Sequence, residues 1–188
     1  MMRQITEAEK LERILTRLAH EIVERNSGTE EVVLLGIQTH GVAVAERMQR
    51  EIERIEGVRV PCGSLDVTLY RDDLLRGVGL RPNLTVIDFS VQGKRVVLCD
   101  DVLYTGRTVR AAVSAILDYG RPQCIQFLAV ADRGRHQLPF SADYVGKNVF
   151  AEREERVVVS LGGEIGEGIW LQSRVGAGAE ESLPGKQE

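Results

Sequence analysis

Two adjacent aspartates, Asp100 and Asp101, follow a short apolar run and precede a loop that is crowded with hydroxyl groups around one glycine. A glycine lets a ligand approach the backbone closely, hydroxyls donate hydrogen bonds, and an arginine adds positive charge. A helix starting near the end of the loop would add free N–H groups and a favourable dipole for an anion. The loop is therefore typical of a phosphate site; it comprises Tyr104, Thr105, Gly106, Arg107 and Thr108.

The two carboxylates suit a different kind of group from the loop beside them. Carboxylate oxygens accept hydrogen bonds from sugar hydroxyls, and they also bind a magnesium ion carried by a phosphorylated sugar. A purely structural interpretation is that Thr105 and Gly106 form an ordinary turn and that the acids start a helix. The order of acids, hydroxyl-rich loop and helix favours a ligand site, since ligands of open parallel sheets bind beyond the carboxyl ends of strands.

The first half of the chain predicts a helix, a strand and a second helix. Thr6 and Glu9 match a capping box, and apolar residues then recur at helical spacing until about Gly28. Residues 32–37 are continuously apolar, which predicts a buried strand. A polar turn and a second helical pattern follow, and the alternation at 65–69 predicts another strand.

The second half repeats the alternation of strands and helices. A helical pattern follows the hydroxyl-rich loop, residues 125–131 predict a strand, and residues 157–161 and 169–171 predict a final hairpin. Strands that alternate with helices predict an α/β fold with a mostly parallel central sheet flanked by helices. We expect the charged segment 71–83 to form a mobile loop.

Composition limits the classes of protein to consider. The 188 residues, 43% hydrophobic and 28% charged, fit one domain, which we place at residues 1–172, with a disordered tail at 173–188. No apolar run approaches the length of a membrane span, so we expect a cytoplasmic protein with no membrane contact. Three cysteines without CxxC spacing predict no protein metal site. The net charge of -4 means that any nucleic-acid contact must use a local patch.

The acid pair and its loop resemble the signature of the type I phosphoribosyltransferases, which bind 5-phosphoribosyl 1-diphosphate (PRPP). The resemblance implies that residues 104–108 bind the 5′-phosphate of PRPP and that Asp100 and Asp101 contact its ribose. Purine-salvage members of this class usually carry an aspartate where this chain has Tyr104. The tyrosine therefore argues against a purine base.

Five stretches between residues 5 and 160 resemble the PyrR family: LTRLAHEIVERNSG, LDVTLYRDDL, CDDVLYTGRTVRAA, DYGRPQCIQ and ADRGRHQLPFSADYVGKN. The resemblance implies a type I phosphoribosyltransferase fold with a flexible loop and a small hood. It also implies that uracil and PRPP give UMP and pyrophosphate, with Mg²⁺ carried by PRPP. Further implications are UMP-dependent binding to the mRNA leader of the pyrimidine operon and a homo-oligomer, a dimer or larger.

The same resemblance implies the remaining site residues. Thr39, His40 and Gly41 take the position of the pyrophosphate loop, and Arg71 that of an arginine that closes over the diphosphate. The implied uracil-binding residues are Arg133, Tyr144 and Val145. Two alternatives stay open, because the segment after Tyr70 also fits an ordinary solvated loop. A lone tyrosine in an apolar context is more often packed in a core.

The first predicted helix has a polar face, and the resemblance implies that RNA binds there. Helical spacing places Thr16, Arg17 and His20 opposite the apolar stripe, and Lys147 would extend the surface, with Arg135 and His136 as further candidates. A solvated helix face is the alternative, because Glu21 and Glu24 dilute the positive charge.

Three departures from the family pattern affect both predicted functions. His40 stands where the family usually has arginine, and a histidine is largely neutral at pH 7. Ser141 replaces a frequent basic residue, and residues 150–152 (Phe-Ala-Glu) replace Pro-Thr-Ser. Two other functions therefore stay open: a PRPP- or UMP-binding regulator with weak or no catalysis, and a uracil salvage transferase without an RNA role.

Overall fold

A computed structural model describes residues 1–72 and 84–173, which form two sheets and three helices. The helices are α1 (Ala8–Asn26), α2 (His40–Glu56) and α3 (Arg107–Leu117), and Thr68–Tyr70 form a short 3₁₀ turn. The strands are β1 (Met2–Glu7), β2 (Val32–Ile37), β3 (Cys62–Leu65), β4 (Arg95–Leu103), β5 (Cys124–Asp132), β6 (Tyr144–Asn148), β7 (Glu155–Ser160) and β8 (Gly168–Ser173).

The larger sheet is parallel, with strand order β3-β2-β4-β5-β6. Alternate residues of β4 face opposite sides, so that Val97 packs with α1 and α2 while Leu98 packs with α3. Helices therefore cover both faces, as the continuous apolar strands predict. The predicted α/β fold with a parallel sheet is confirmed, and the carboxyl ends of β2, β4 and β5 lie at one edge.

The smaller sheet is antiparallel, with order β1-β8-β7. The hairpin of β7 and β8 matches the prediction, with Val157 paired to Leu171 and Val159 to Ile169. Both of these pairs join the apolar cluster that contains α1. This sheet is the small hood. Its strand β7 lies beside the carboxyl edge of the larger sheet.

Two local predictions are wrong: the cap at the start of α1 and the strand over residues 65–69. Thr6 does not cap α1; it lies in β1, pairs with Ile169 of β8, and leaves Glu7 as a cap without a side-chain hydrogen bond. The strand predicted over residues 65–69 ends at Leu65, because the Asp66 carboxylate accepts hydrogen bonds from the backbone and hydroxyl of Thr68 and fixes a turn there. Strands β1 and β6 were not predicted.

Several predictions fall wholly or partly outside the described residues. Of the predicted mobile loop 71–83, the structure describes only Arg71 and Asp72, and of the tail 173–188 only Ser173, which ends β8. The prediction of one domain over residues 1–172 stays a prediction. Within the described ranges, none of the helices has the length and apolarity that a membrane crossing requires.

Candidate active site

Strand β4 carries the two aspartates to the carboxyl edge of the parallel sheet. The Asp100 side chain is buried, and its Oδ1 accepts a hydrogen bond from the backbone N–H of Asp101 at 3.0 Å. Burial, followed by the neighbouring Asp101, raises the pKa of Asp100 well above its ordinary value, although Arg71 opposes the shift. The raised pKa means that the ionised form of Asp100 is poorly stabilised. A cation or a hydroxyl donor bound at the two aspartates would stabilise it.

The hydroxyl-rich loop joins β4 to α3 in the way that a phosphate site requires. Gly106 has φ +86° and is the N-cap residue of α3, and no side chain caps the helix start. Apart from that of Arg107, the N–H groups in the first turn of α3 therefore stay available to an anion. The Thr105 hydroxyl lies 3.4 Å from the backbone N–H of Arg107, and the Thr108 hydroxyl lies 3.4 Å from Nη1 of Arg71.

The predicted pyrophosphate loop is packed directly against β4. Thr39 follows a cis peptide bond after Gln38, and His40 and Gly41 form the start of α2. A Cβ atom on Gly41 would lie 2.2 Å from the backbone oxygen of Cys99, so only glycine fits at this contact. This close approach brings the exposed His40 beside the acid pair.

The predicted motifs meet around one cleft of about 410 Å³. Its walls include both aspartates, Arg71 and Arg133, together with Thr39 and His40 from the pyrophosphate loop and Tyr104 and Thr108 from the phosphate loop. A second cavity of about 270 Å³ continues beneath the phosphate loop and shares Arg71 and Asp100 with the cleft. The structure therefore assembles a continuous, mostly polar site from these four separate stretches of sequence.

Arg107 is the phosphate-loop residue whose side chain does not line either cavity. Its Nη1 contacts Asp72 Oδ2 at 2.7 Å, and its Nε donates to Gln137 Oε1 at 3.3 Å. The guanidinium thus supports the loop from outside the cleft.

Arg133 follows β5 and stacks on Tyr104. Its guanidinium carbon lies 4.1 Å from the ring centroid, and Nη2 donates to the backbone oxygen of Glu152 at 2.7 Å. Its buried Nε has no hydrogen-bond partner among the residues described. A buried donor of this kind can be satisfied by a ligand acceptor.

Tyr144 and Val145 are not among the residues that line the cleft, and their role in uracil binding stays a prediction. Tyr144 is 2% exposed, and its hydroxyl donates to Gln126 Oε1 at 2.8 Å and accepts from Asn26 Nδ2 at 3.2 Å. The backbone oxygen of Val145 accepts from Arg17 on α1. This burial favours the core-packing role that was the alternative for Tyr144.

Sequence analysis did not identify Arg156 and Val157, which line the cleft from the hood. They begin a strand whose local pattern signals only a hairpin, and tertiary packing alone brings it to the site. No local signal could have identified them.

The predicted RNA surface on α1 is largely bonded to the rest of the chain. Arg17 donates from Nη2 to the backbone oxygens of Val145 at 3.1 Å and Gly146 at 2.8 Å, and it also pairs with Glu21. The Thr16 hydroxyl donates to Glu51 at 3.2 Å. His20 is exposed.

The candidates outside α1 are also bonded within the chain. Lys147 donates to the backbone oxygen of Ile5 and to the Thr6 hydroxyl, both at 3.0 Å. Burial, with a smaller effect of Lys10, lowers the pKa of Lys147. His136 contacts Asp132 Oδ1 at 2.8 Å, while Arg135 is exposed and has φ +60°.

Comparisons with known proteins agree with this geometry. The phosphoribosyl transferase domain family matches residues 1–158. "Bifunctional protein PyrR" of Clostridioides difficile (strain 630) is 52% identical over 160 residues, covering 84% of this chain and 90% of that protein. "Bifunctional protein PyrR" of Chloroflexus aurantiacus is 54% identical over 160 residues, covering 85% and 88%.

A solved hypoxanthine-guanine phosphoribosyltransferase of Bacillus anthracis has a similar fold, with a TM-score of 0.64 at 22% identity, covering 82% of this chain and 85% of that one. The low identity supports the fold alone. The domain match and the relatives at about half identity together show that this chain belongs to the PyrR family of type I phosphoribosyltransferases.

Proposed function

We propose that this protein transfers the phosphoribosyl group of PRPP to uracil, giving UMP and pyrophosphate, and that it also regulates pyrimidine operon expression by binding the mRNA leader in response to UMP. The observation that carries the catalytic half is the meeting of the acid pair, the phosphate loop, the pyrophosphate loop and Arg71 around one cleft. Membership of the PyrR family supports both halves.

We infer that the cavity beneath the phosphate loop receives the 5′-phosphate. The N–H groups at the start of α3 and the hydroxyls of Thr105 and Thr108 surround an anion there. Asp100 and Asp101 then face the ribose hydroxyls, because the two cavities join at Asp100. This arrangement directs the anomeric carbon into the larger cleft.

We assign the diphosphate end of PRPP to Thr39, His40 and Arg71, which line the larger cleft together with the acid pair. The transition state of such a transfer has oxocarbenium character, and the departing diphosphate gains negative charge. Cationic and N–H donors at this end therefore stabilise the transition state more than the bound substrate. An arginine at position 40 would place a permanent positive charge at this end.

The donor set fits magnesium that arrives with the substrate. Within the described residues, no group of three or more histidine, cysteine or acidic side chains could hold a metal ion. Two neighbouring carboxylates remain, and magnesium is commonly held by one or two carboxylates together with substrate phosphates. When bound, the ion would neutralise the diphosphate, and Asp100 and Asp101 would hold it.

We place uracil at the Arg133 end of the cleft. The unpartnered Nε of Arg133 is a donor for a pyrimidine oxygen, and Val157 supplies an apolar wall. Tyr104 occupies the position where purine-salvage enzymes usually have an aspartate, and its ring is stacked against Arg133. A carboxylate that would accept a proton from a purine ring is thus absent from that position.

The catalytic proposal is tested by PRPP-dependent conversion of labelled uracil, in wild type and Asp101→Asn. We expect UMP from the wild type and a loss of about 100-fold in kcat/KM for the variant, because it lacks one of the two carboxylates at the ribose. Binding of PRPP or UMP by calorimetry without turnover would favour the non-catalytic regulator. Full activity in Asp101→Asn would contradict the assigned ribose contact.

The regulatory proposal is tested by gel-shift titration of a pyrimidine-operon leader RNA with and without UMP. We expect tighter binding with UMP and weaker binding as salt rises, since phosphate contacts dominate affinity. The proposed RNA surface is Thr16, Arg17, His20 and Lys147. If RNA affinity changes neither with UMP nor with His20→Ala, a salvage transferase without an RNA role is favoured.

The proposed homo-oligomer is tested by light scattering.

A further inference from the structure

Arg110, one turn into α3, holds the backbone on both sides of Arg71. Its Nη2 donates to the backbone oxygen of Tyr70 at 2.6 Å and lies 3.8 Å from Oδ1 of Asp72. Tyr70 and Asp72 are the residues immediately before and after Arg71. Arg110 itself lines neither cavity of the site.

Two further contacts fasten the same short segment to α3. Asp72 accepts a hydrogen bond from Arg107 at 2.7 Å, so that the two arginines, three residues apart on one helix face, share its carboxylate. The Tyr70 hydroxyl donates to Asp118 just beyond the end of α3. The segment is therefore attached along the whole helix that starts at the phosphate loop.

This attachment aims the Arg71 side chain into the site. Its Nη1 lies 3.4 Å from the Thr108 hydroxyl, and the residue lines both the cleft and the cavity beneath the phosphate loop. An arginine has many rotamers, and a segment without fixed neighbours would place its guanidinium in many positions. Restricting the flanking backbone reduces the entropy lost when the guanidinium meets an anion.

We propose that Arg110 is a positioning residue, which places Arg71 beside the diphosphate of PRPP without touching substrate. The inference rests on the proposed function, because it takes the diphosphate to be the ligand of Arg71. Stability alone does not explain an arginine at this place: its Nε is buried and has no partner in the described part of the chain. A methionine would fill similar space without leaving that donor unsatisfied.

The test compares two ligands that share a phosphate and a ribose but differ in the diphosphate. Calorimetry on Arg110→Met should show that PRPP with magnesium binds about tenfold more weakly, because Arg71 is no longer held in place. UMP should lose less affinity than PRPP, because Arg71 lines the cavity for the 5′-phosphate that both ligands share, but only PRPP also carries the diphosphate. Arg110→Lys should recover part of the PRPP affinity, because an ammonium can donate to Tyr70 but lacks the fork of a guanidinium.

A double-mutant cycle separates positioning from a direct contact. Arg71→Ala alone should weaken PRPP binding by at least as much as Arg110→Met, and combining the two changes should add little, because Arg110 acts through Arg71. Arg50→Met is the matched control. Arg50 is an exposed arginine on α2 without an ion pair among the residues described, and its replacement should change neither affinity.

Equal losses of PRPP and UMP affinity in Arg110→Met would overturn the inference, since they would mean that α3 or the phosphate loop is distorted. Additive losses in the double variant would overturn it as well. If the wild type binds neither PRPP nor UMP, the proposed function fails, and the inference fails with it. If the wild type binds both ligands and Arg110→Met binds PRPP as tightly as the wild type, the positioning role is refuted and the proposed function stands.

Discussion

The cleft and the outer face of α1 both carry arginines, histidines and threonines, but the two regions use them differently. In the cleft, Asp100 is buried beside a second carboxylate, and Arg133 keeps a buried donor unpaired within the described structure. On α1, by contrast, Arg17 is bonded to two backbone oxygens and to Glu21. The cleft therefore keeps strong polar groups that a ligand could satisfy, whereas Arg17 on α1 is already satisfied within the chain.

The largest expected effect comes from moving the predicted pyrophosphate loop away from β4 while leaving α1 unchanged. Gly41→Ala would press a methyl group against Cys99 of β4 and push the pyrophosphate loop away from the acid pair. We expect a loss of about 100-fold in uracil transfer from this displacement. The overpacking should also lower the free energy of unfolding by about 2 kcal/mol, measured by urea denaturation.

Gly57→Ala, at the other end of α2, is the control. Nothing lies within 4 Å of its added Cβ, although φ is +70°. The free energy of unfolding of Gly57→Ala should fall by about 1 kcal/mol, while uracil transfer is retained. Equal activity losses in both variants would mean that α2 stability, rather than loop placement, decides catalysis.

A smaller effect is expected from restoring charge in the cleft. His40→Arg places a permanent cation at the diphosphate end, and we expect kcat/KM for PRPP to rise about fivefold at pH 7.5, because a histidine is largely neutral there. Uracil transfer over a range of PRPP concentrations provides the measurement. Unchanged kcat/KM would show that the family difference at this position has no catalytic cost.

The face of α1 can be examined by comparing His20→Ala with Lys147→Met. His20 is exposed, so its loss should weaken RNA binding about threefold without changing stability. Lys147 bonds to β1, so its loss should lower the free energy of unfolding by about 1 kcal/mol. Gel shifts and urea denaturation report the two quantities, and the reverse pattern would assign RNA contact to Lys147.

A further modest effect is a gain in stability from the cleft itself. The raised pKa of Asp100 means that it stays protonated in the folded state at pH values where the unfolded chain is already ionised, so ionisation favours unfolding. Asp100→Asn should therefore increase the free energy of unfolding by about 1 kcal/mol at pH 7. The gain should vanish below about pH 4, where both states are protonated. Denaturation at the two pH values measures it, and a loss of stability at pH 7 would refute it.

The location of the candidate site was predictable where it depended on consecutive residues. Asp100, Asp101 and the loop to Thr108 are local in sequence, and their place at a strand end followed from strand and helix patterns. Arg156 belongs to a hairpin that has no reason to meet β4 until both sheets are packed. The role of Tyr144 depended on whether β6 joins the parallel sheet, which is decided by pairing with β5 rather than by local sequence.

Errors in the fold have the same origin. Thr6 satisfies the spacing of a capping box, but its backbone is paired with β8, which lies more than a hundred residues later in the chain. The alternation at residues 65–69 is real, yet Asp66 bonds to Thr68 and turns the chain. Local patterns therefore identified most elements, while contacts between distant segments decided their ends.

The pairing of β1 with β8 has a consequence for synthesis on the ribosome. Strand β8 lies between β1 and β7, so the hood sheet cannot assemble until residue 173 has been translated. A nascent chain can form the parallel sheet earlier, with its acid pair and phosphate loop, while the wall from Arg156 and Val157 is still unsupported. Full affinity for nucleotide should therefore arise only after residues 168–173 have left the ribosome and β8 has paired with β1 and β7.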